Sequence, residues 1–131
     1  MTAQPEDSYD DEVRARWGAS EAYAQSQSRL SEYSPAEMDL AKHAQEEALQ
    51  GVIDAMNQGF APTSLEAIVA ADRCRQAISA WYFECSPQMH RQLAALYVSD
   101  ERFRSFYESR QAGLAQYFHD AIVAGSEGPA R

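Results

Sequence analysis

Positive charge is scarce in this chain. Eleven basic side chains stand against 20 acidic ones, Lys42 is the single lysine, and the formal net charge is −9. Docking on DNA or RNA draws on counterion release by basic side chains, so this composition excludes direct nucleic-acid binding by the segment itself. Cysteine is scarce too. Cys74 and Cys85 lie eleven residues apart with no CxxC or His-rich spacing around them, which reads as two reduced thiols in a cytoplasmic protein and argues against a structural zinc site. Long hydrophobic runs are missing: the stretches from Ala67 to Ala71 and from Leu93 to Val98 fall well short of the roughly 18 residues a bilayer span needs. No membrane partner is expected. The N-terminus is acidic rather than basic and apolar, unlike an export signal. Runs of Val, Ile and Thr are also few, so nothing in the composition favours a sheet.

What is present is the material of one helical domain. The chain has 131 residues, 45% of them hydrophobic, enough for a single core without a disulfide or metal. Residues 1–9 hold carboxylates and almost nothing apolar, and read as a flexible acidic lead-in. Residues 125–131, with two glycines and a proline, read as a flexible tail. The folded body is expected over residues 10–124.

Helix starts are legible within it. Ser34-Pro35-Ala36-Glu37 combines a capping serine, a proline at the first helical position and a glutamate placed to close a capping box, and predicts a long helix to about Asn57. Gly59 and Pro62 break it. Thr63-Ser64-Leu65-Glu66 repeats the Ser/Thr-x-x-Glu signature and predicts a second long helix towards Cys85, antiparallel to the first. Ala41, Ala48, Val52 and Met56 form an apolar stripe on the first; Leu65, Val69, Ile78, Trp81 and Cys85 form one on the second. Pro87 permits a helix carrying Leu93, Leu96 and Tyr97. Ser99 or Asp100 caps a short one with Phe103 and Phe106, and the last begins near Gly113. Upstream, Val13 and Trp17 mark a short helix, and Ser20 caps another containing Tyr23 and Leu30. The expectation is an all-α domain of about seven helices.

No motif of catalysis, metal binding or phosphate cradling is present, and neither enzyme activity nor a cofactor is expected. Cys85 and His90 are close enough in sequence for a thiol–imidazole pair, weighed against a buried thiol beside a packed histidine. The aromatic inventory is more informative: seven tyrosines, five phenylalanines and two tryptophans, more than a core of this size consumes. Trp81, Tyr82 and Phe83 are consecutive, and on a helix they point about 100° apart, so they cannot share one core stripe. Either they plug gaps between short helices, or some line a groove for a flat or macrocyclic ligand, with Met89 adding adaptable contact and Gln76, Gln88, His90 and Gln92 at a polar rim.

Three segments carry a family resemblance. Asp11-Glu12-Val13-Arg14-Ala15-Arg16-Trp17-Gly18, Glu21-Ala22-Tyr23-Ala24-Gln25-Ser26, and the stretch from Cys85 through Met89-His90 to Leu96-Tyr97-Val98-Ser99-Asp100-Glu101-Arg102-Phe103 resemble, in order and spacing, the TipAS antibiotic-recognition domain. That domain is the effector part of certain MerR-type multidrug-responsive transcription activators, and it also occurs alone as a drug-sequestering protein. The resemblance covers about residues 9–124. It implies a globin-like packing of helices without haem, and a cleft for thiopeptides or other bulky antimicrobials drawn from Trp17, Tyr23, Trp81, Tyr82, Cys85, Met89, His90, Tyr97 and Phe103. It further implies N-terminal helices that act as a lid, with DNA contact and dimerisation belonging to a separate helix-turn-helix domain and coiled coil. The family prototype attacks dehydroalanine groups through a cysteine. The matching position here is Gln92, Cys85 matches a neighbouring cysteine, and Cys74 stands where the prototype has a histidine. Capture without a covalent bond is therefore expected. A stand-alone sequestering protein and a helical protein-interaction module are the alternative readings.

Overall fold

The computed structural model describes residues 21–126, of which 24–126 with their side chains. Six helices account for most of them: α1 Glu21–Glu32, α2 Pro35–Asn57, α3 Leu65–Trp81, α4 Pro87–Ser99, α5 Glu101–Arg110 and α6 Leu114–Ser126. No strand occurs among the described residues. The helix expected around Val13 and Trp17 lies outside them.

Side-chain caps set most of the boundaries. The Ser34 hydroxyl accepts from the Glu37 amide at 3.1 Å while the Glu37 carboxylate accepts from the Ser34 amide at 2.9 Å, closing the capping box that opens α2. At its end, Phe60 N–H reaches Ala55 O and Gly59 N–H reaches Met56 O, with Gly59 at φ 87°. This is a Schellman turn, whose left-handed residue favours glycine. The cap of α3 is Ser64, accepting from Ala67, rather than Thr63. The third helical residue is then Ala67, so the expected reciprocal bond from Glu66 is not made. Ser86 and Asp100 cap α4 and α5. The Glu108 carboxylate accepts from the amides of Gly113 and Ala115 at 2.9 and 3.0 Å, capping the start of α6 from the preceding helix. These two bonds hold the carboxyl of Glu108 below its ordinary pKa.

Two expectations are corrected by the packing. The buried face of α3 consists of Ala67, Ala70, Ala71, Cys74 and Ile78, whereas Leu65 is 72% and Val69 42% exposed. Small residues win that face because α2 and α3 pack closely: a Cβ at Gly51 would stand 3.9 Å from the Cβ of Ala70. Helix α3 also stops at Trp81 instead of reaching Cys85. The Ser79 hydroxyl accepts from the Cys85 amide at 2.9 Å, and Arg75 donates to the Cys85 carbonyl at 2.8 Å, so residues 82–86 fold back along the helix end. Trp81, Tyr82 and Phe83 therefore do not share a helix.

Helix α6 lies at the centre, touching α2, α3, α4 and α5 and burying Leu114, Phe118, Ala121 and Ile122 almost completely. It continues through Gly125 to Ser126, past the expected stop at Gly125. A Cβ at Gly125 would meet Ile68 at 3.1 Å, so the glycine lets the end of α6 lie close against α3. Helix α1 is attached differently. Gln25 accepts from the Glu84 amide, Arg29 donates to Ser79 O, and the Tyr33 hydroxyl beyond its end donates to Trp81 O at 2.6 Å. Polar contacts with main chain tie this helix to the end of α3.

Candidate functional site

A cavity of about 610 Å³ lies between α2, α3, α4, α5 and α6. Its inner wall is a cluster of rings. Tyr97 of α4 stacks on Phe118 at 5.6 Å with 13° between the planes, and meets Phe103 and Tyr107 at 5.3 and 5.0 Å. Tyr107 also meets Phe118 at 5.4 Å. Each ring is held by at least one other, so these wide faces are fixed before any guest arrives. Leu49 and Ile78 extend the apolar surface, and the thiol of Cys74 completes it.

Helix α5 supplies much of this wall because Phe103, Phe106 and Tyr107 recur at helical spacing. Phe106 is 45% exposed and stands at the mouth. Arg110, one turn on, places its guanidinium carbon 4.4 Å above that ring and forms a two-pronged ion pair with Glu46 of α2, at 2.5 and 2.6 Å. This clasp joins α2 to α5 across the rim. Gln45 and Arg102 add polar surface there, and Arg102 faces Asp100 at 3.4 Å.

The two buried thiols and the imidazole of His90 are electrically quiet. Burial pushes the Cys74 thiol up to about 12, assisted by the charge of Asp72. Burial likewise raises Cys85 to about 11, against a lowering by Arg75. Burial holds His90 down at about 4, with Asp72 opposing and Arg75 adding to that shift. Near neutral pH neither thiolate nor imidazolium forms, so the thiol–imidazole chemistry weighed for Cys85 and His90 lacks both of its ions. Among the described residues, no three His, Cys, Asp or Glu side chains gather to hold a metal, and no helix is long and apolar enough to cross a membrane.

Of the residues singled out in the sequence, His90, Tyr97 and Phe103 stand together in the cavity wall. Trp81, Tyr82, Cys85 and Met89 are not among its lining residues. Trp81 instead meets Tyr33 edge-on at 5.6 Å, Tyr82 and Met89 pack half-buried against the core, and Cys85 is buried within the segment after α3. Gln92 is exposed on α4. Tyr23 falls in α1 at a position without a described side chain, and Trp17 lies outside the described residues. Sequence reasoning passed over Leu49, Cys74, Ile78, Tyr107 and Phe118 as lining residues. Only the repeat of Phe103, Phe106 and Tyr107 on a short polar helix carried a signal that rings gather there.

A second cavity of about 420 Å³ involves Asp72, Arg75, Gln76 and Ile122 and shares His90 with the first. Its polar groups satisfy one another: Asp72 accepts from Arg75 at 2.7 Å and from Gln76 at 2.9 Å, which holds its carboxyl below the usual range.

Comparison with known proteins agrees with this architecture. The chain is 35% identical over 120 residues to the HTH-type transcriptional activator TipA of Streptomyces coelicolor and of Streptomyces lividans, covering 92% of this chain and 47% of each relative. It is 27% identical over 115 residues to the HTH-type transcriptional activator mta of Bacillus subtilis, covering 88% of this chain and 44% of that protein. The chain thus spans just under half the length of these relatives. Its fold matches the solved structure of Streptomyces lividans TipAS in complex with nosiheptide, with a TM-score of 0.81, 31% identity, and coverage of 97% and 96% of the two chains. The description of the TipAS antibiotic-recognition domain fits residues 9–124, nearly the whole chain, and the protein belongs to that family.

Proposed function

We propose that this domain captures bulky hydrophobic or macrocyclic antimicrobials of the thiopeptide kind, reversibly, and serves as the drug-sensing part of a transcription regulator. One observation carries the reading: a roomy cavity walled by mutually braced rings, in a chain whose fold matches a thiopeptide-bound TipAS. Burial of apolar ligand surface against Tyr97, Phe103, Phe106 and Tyr107 would supply most of the affinity, at about 25 cal/mol per Å² before ordering costs. Both cysteines are held as neutral thiols, which favours capture without a covalent bond even though Cys74 lines the cavity. The regulatory part of the reading rests on the relatives being HTH-type activators. A ligand that favours one arrangement of the domain would shift an attached DNA-binding unit by that differential affinity.

Titration with nosiheptide tests the proposal. Binding is expected to raise the melting temperature, and intact-mass analysis of the complex after denaturation is expected to return the unmodified chain mass. No thermal shift would overturn the ligand class, and a stable adduct would overturn the noncovalent mode.

A further inference from the structure

One residue of the cavity wall carries a fully buried polar atom that the protein does not use. His90 sits near the start of α4, where its amide bonds to Ser86 O at 2.9 Å, and its side chain is buried with the residue only 3% exposed. Its ring meets Phe118 edge-on at 5.9 Å. Among the described residues, His90 Nε2 is the single buried side-chain nitrogen or oxygen without a hydrogen-bond partner. Buried polar atoms are nearly always paired, and one left unpaired beside a hollow calls for an explanation.

The polar groups on the other side of the ring do not supply a partner. Arg75 is engaged by Asp72 and the Cys85 carbonyl, and Gln76 by Asp72. His90 shares the lining of the first cavity with Cys74, Ile78, Tyr97 and Phe118 as well as with the polar Gln45, Glu46 and Arg102 of the rim. A residue carrying an unsatisfied nitrogen thus lines a hollow that has space for a guest.

We propose that His90 is the specificity-determining residue of the cavity, its Nε2 forming a hydrogen bond with a hydroxyl, amide or heteroaromatic nitrogen on the buried end of the ligand. This rests on the ligand-capturing reading of the cavity and sharpens it. An apolar wall discriminates weakly between hydrophobic guests of similar size, because it rewards area alone. A buried polar group discriminates strongly, since a guest without a matching group leaves it unpaired. The cavity therefore selects large hydrophobic molecules that carry a hydrogen-bonding group at their leading end, and rejects hydrocarbons of the same shape.

The test uses two probes of nearly equal size, 2-naphthol and 2-methylnaphthalene, titrated into the 131-residue chain and into His90→Leu. NMR signals of the Leu49 and Ile78 methyls report the first cavity, and those of Ile122 the second. The preference for 2-naphthol over 2-methylnaphthalene is expected to fall about tenfold in His90→Leu. In the unaltered chain, the ¹⁵N resonance of His90 Nε2 is expected to move with 2-naphthol and stay in place with 2-methylnaphthalene, a readout independent of how the variant folds. An unchanged preference, a stationary Nε2 resonance, or responses confined to Ile122 would each overturn the assignment of His90. If neither probe perturbs Leu49 or Ile78, the ligand-capturing cavity itself falls and the role of His90 with it.

Discussion

Burial governs the proton affinity of His90 more than its charged neighbours do, since Asp72 and Arg75 pull in opposite directions. A histidine held at about 4 in the folded chain, against an ordinary value of 6.5, binds its proton more readily after unfolding. Its contribution to stability is therefore complete above pH 6.5 and is lost as the pH falls through that value towards 4. The full difference is about 3 kcal/mol. Asp72 acts in a separate, more acidic window, because its depressed pKa makes its contribution fail only below the usual carboxylate range. Urea denaturation between pH 7 and 4 should show a falling stability for the unaltered chain and a flatter profile for His90→Phe. Parallel profiles would show that another group titrates in this range.

Helix α1 differs from the other five in what holds it. Among the described side chains, Gln25, Arg29 and Tyr33 hydrogen-bond to the main chain of residues 79–84, and each such bond contributes roughly 0.5–1.5 kcal/mol net. Tyr33→Phe removes one of them and keeps the edge-on contact with Trp81. Amide exchange across Glu21–Glu32 should then quicken about fivefold while α6 stays protected; equal exchange in both proteins would show that apolar packing holds α1. The helices themselves were legible because their signals are local. Ser34, Pro35 and Glu37 determine a start whatever surrounds them, and Gly59 marks a stop. The end of α3 was not legible, because it depends on Ser79 and Arg75 capturing Cys85 from a segment with no turn signature of its own. The buried face of α3 was misread for a related reason. Hydrophobicity favours Leu65 and Val69 as core residues, but the close approach of α2 demands alanine there. The same limits apply to the cavity. Tyr97 and Phe103 could be singled out by type, whereas Ile78, Cys74 and Phe118 join the wall only through the way α3 and α6 cross.

At the scale of the whole molecule, the core and the cavity share their material. Tyr97, Tyr107 and Phe118 are buried and also line the hollow, so truncating them would confuse a loss of binding with a loss of fold. Phe106 separates the two, being nearly half exposed at the mouth. Phe106→Ala should weaken nosiheptide binding several-fold in calorimetry with a melting temperature within a few degrees of the parent, in keeping with the small stability effects of surface substitutions. Undiminished affinity would place the ligand elsewhere on the domain. The clasp between Glu46 and Arg110 has a bearing on time rather than on strength. Its partners remain accessible to solvent, with side-chain exposures of 50% and 30%, so dissolved ions weaken their attraction. If guests pass between α2 and α5, the speed of their arrival and departure should rise together with ionic strength, leaving the ratio of the two rates nearly constant.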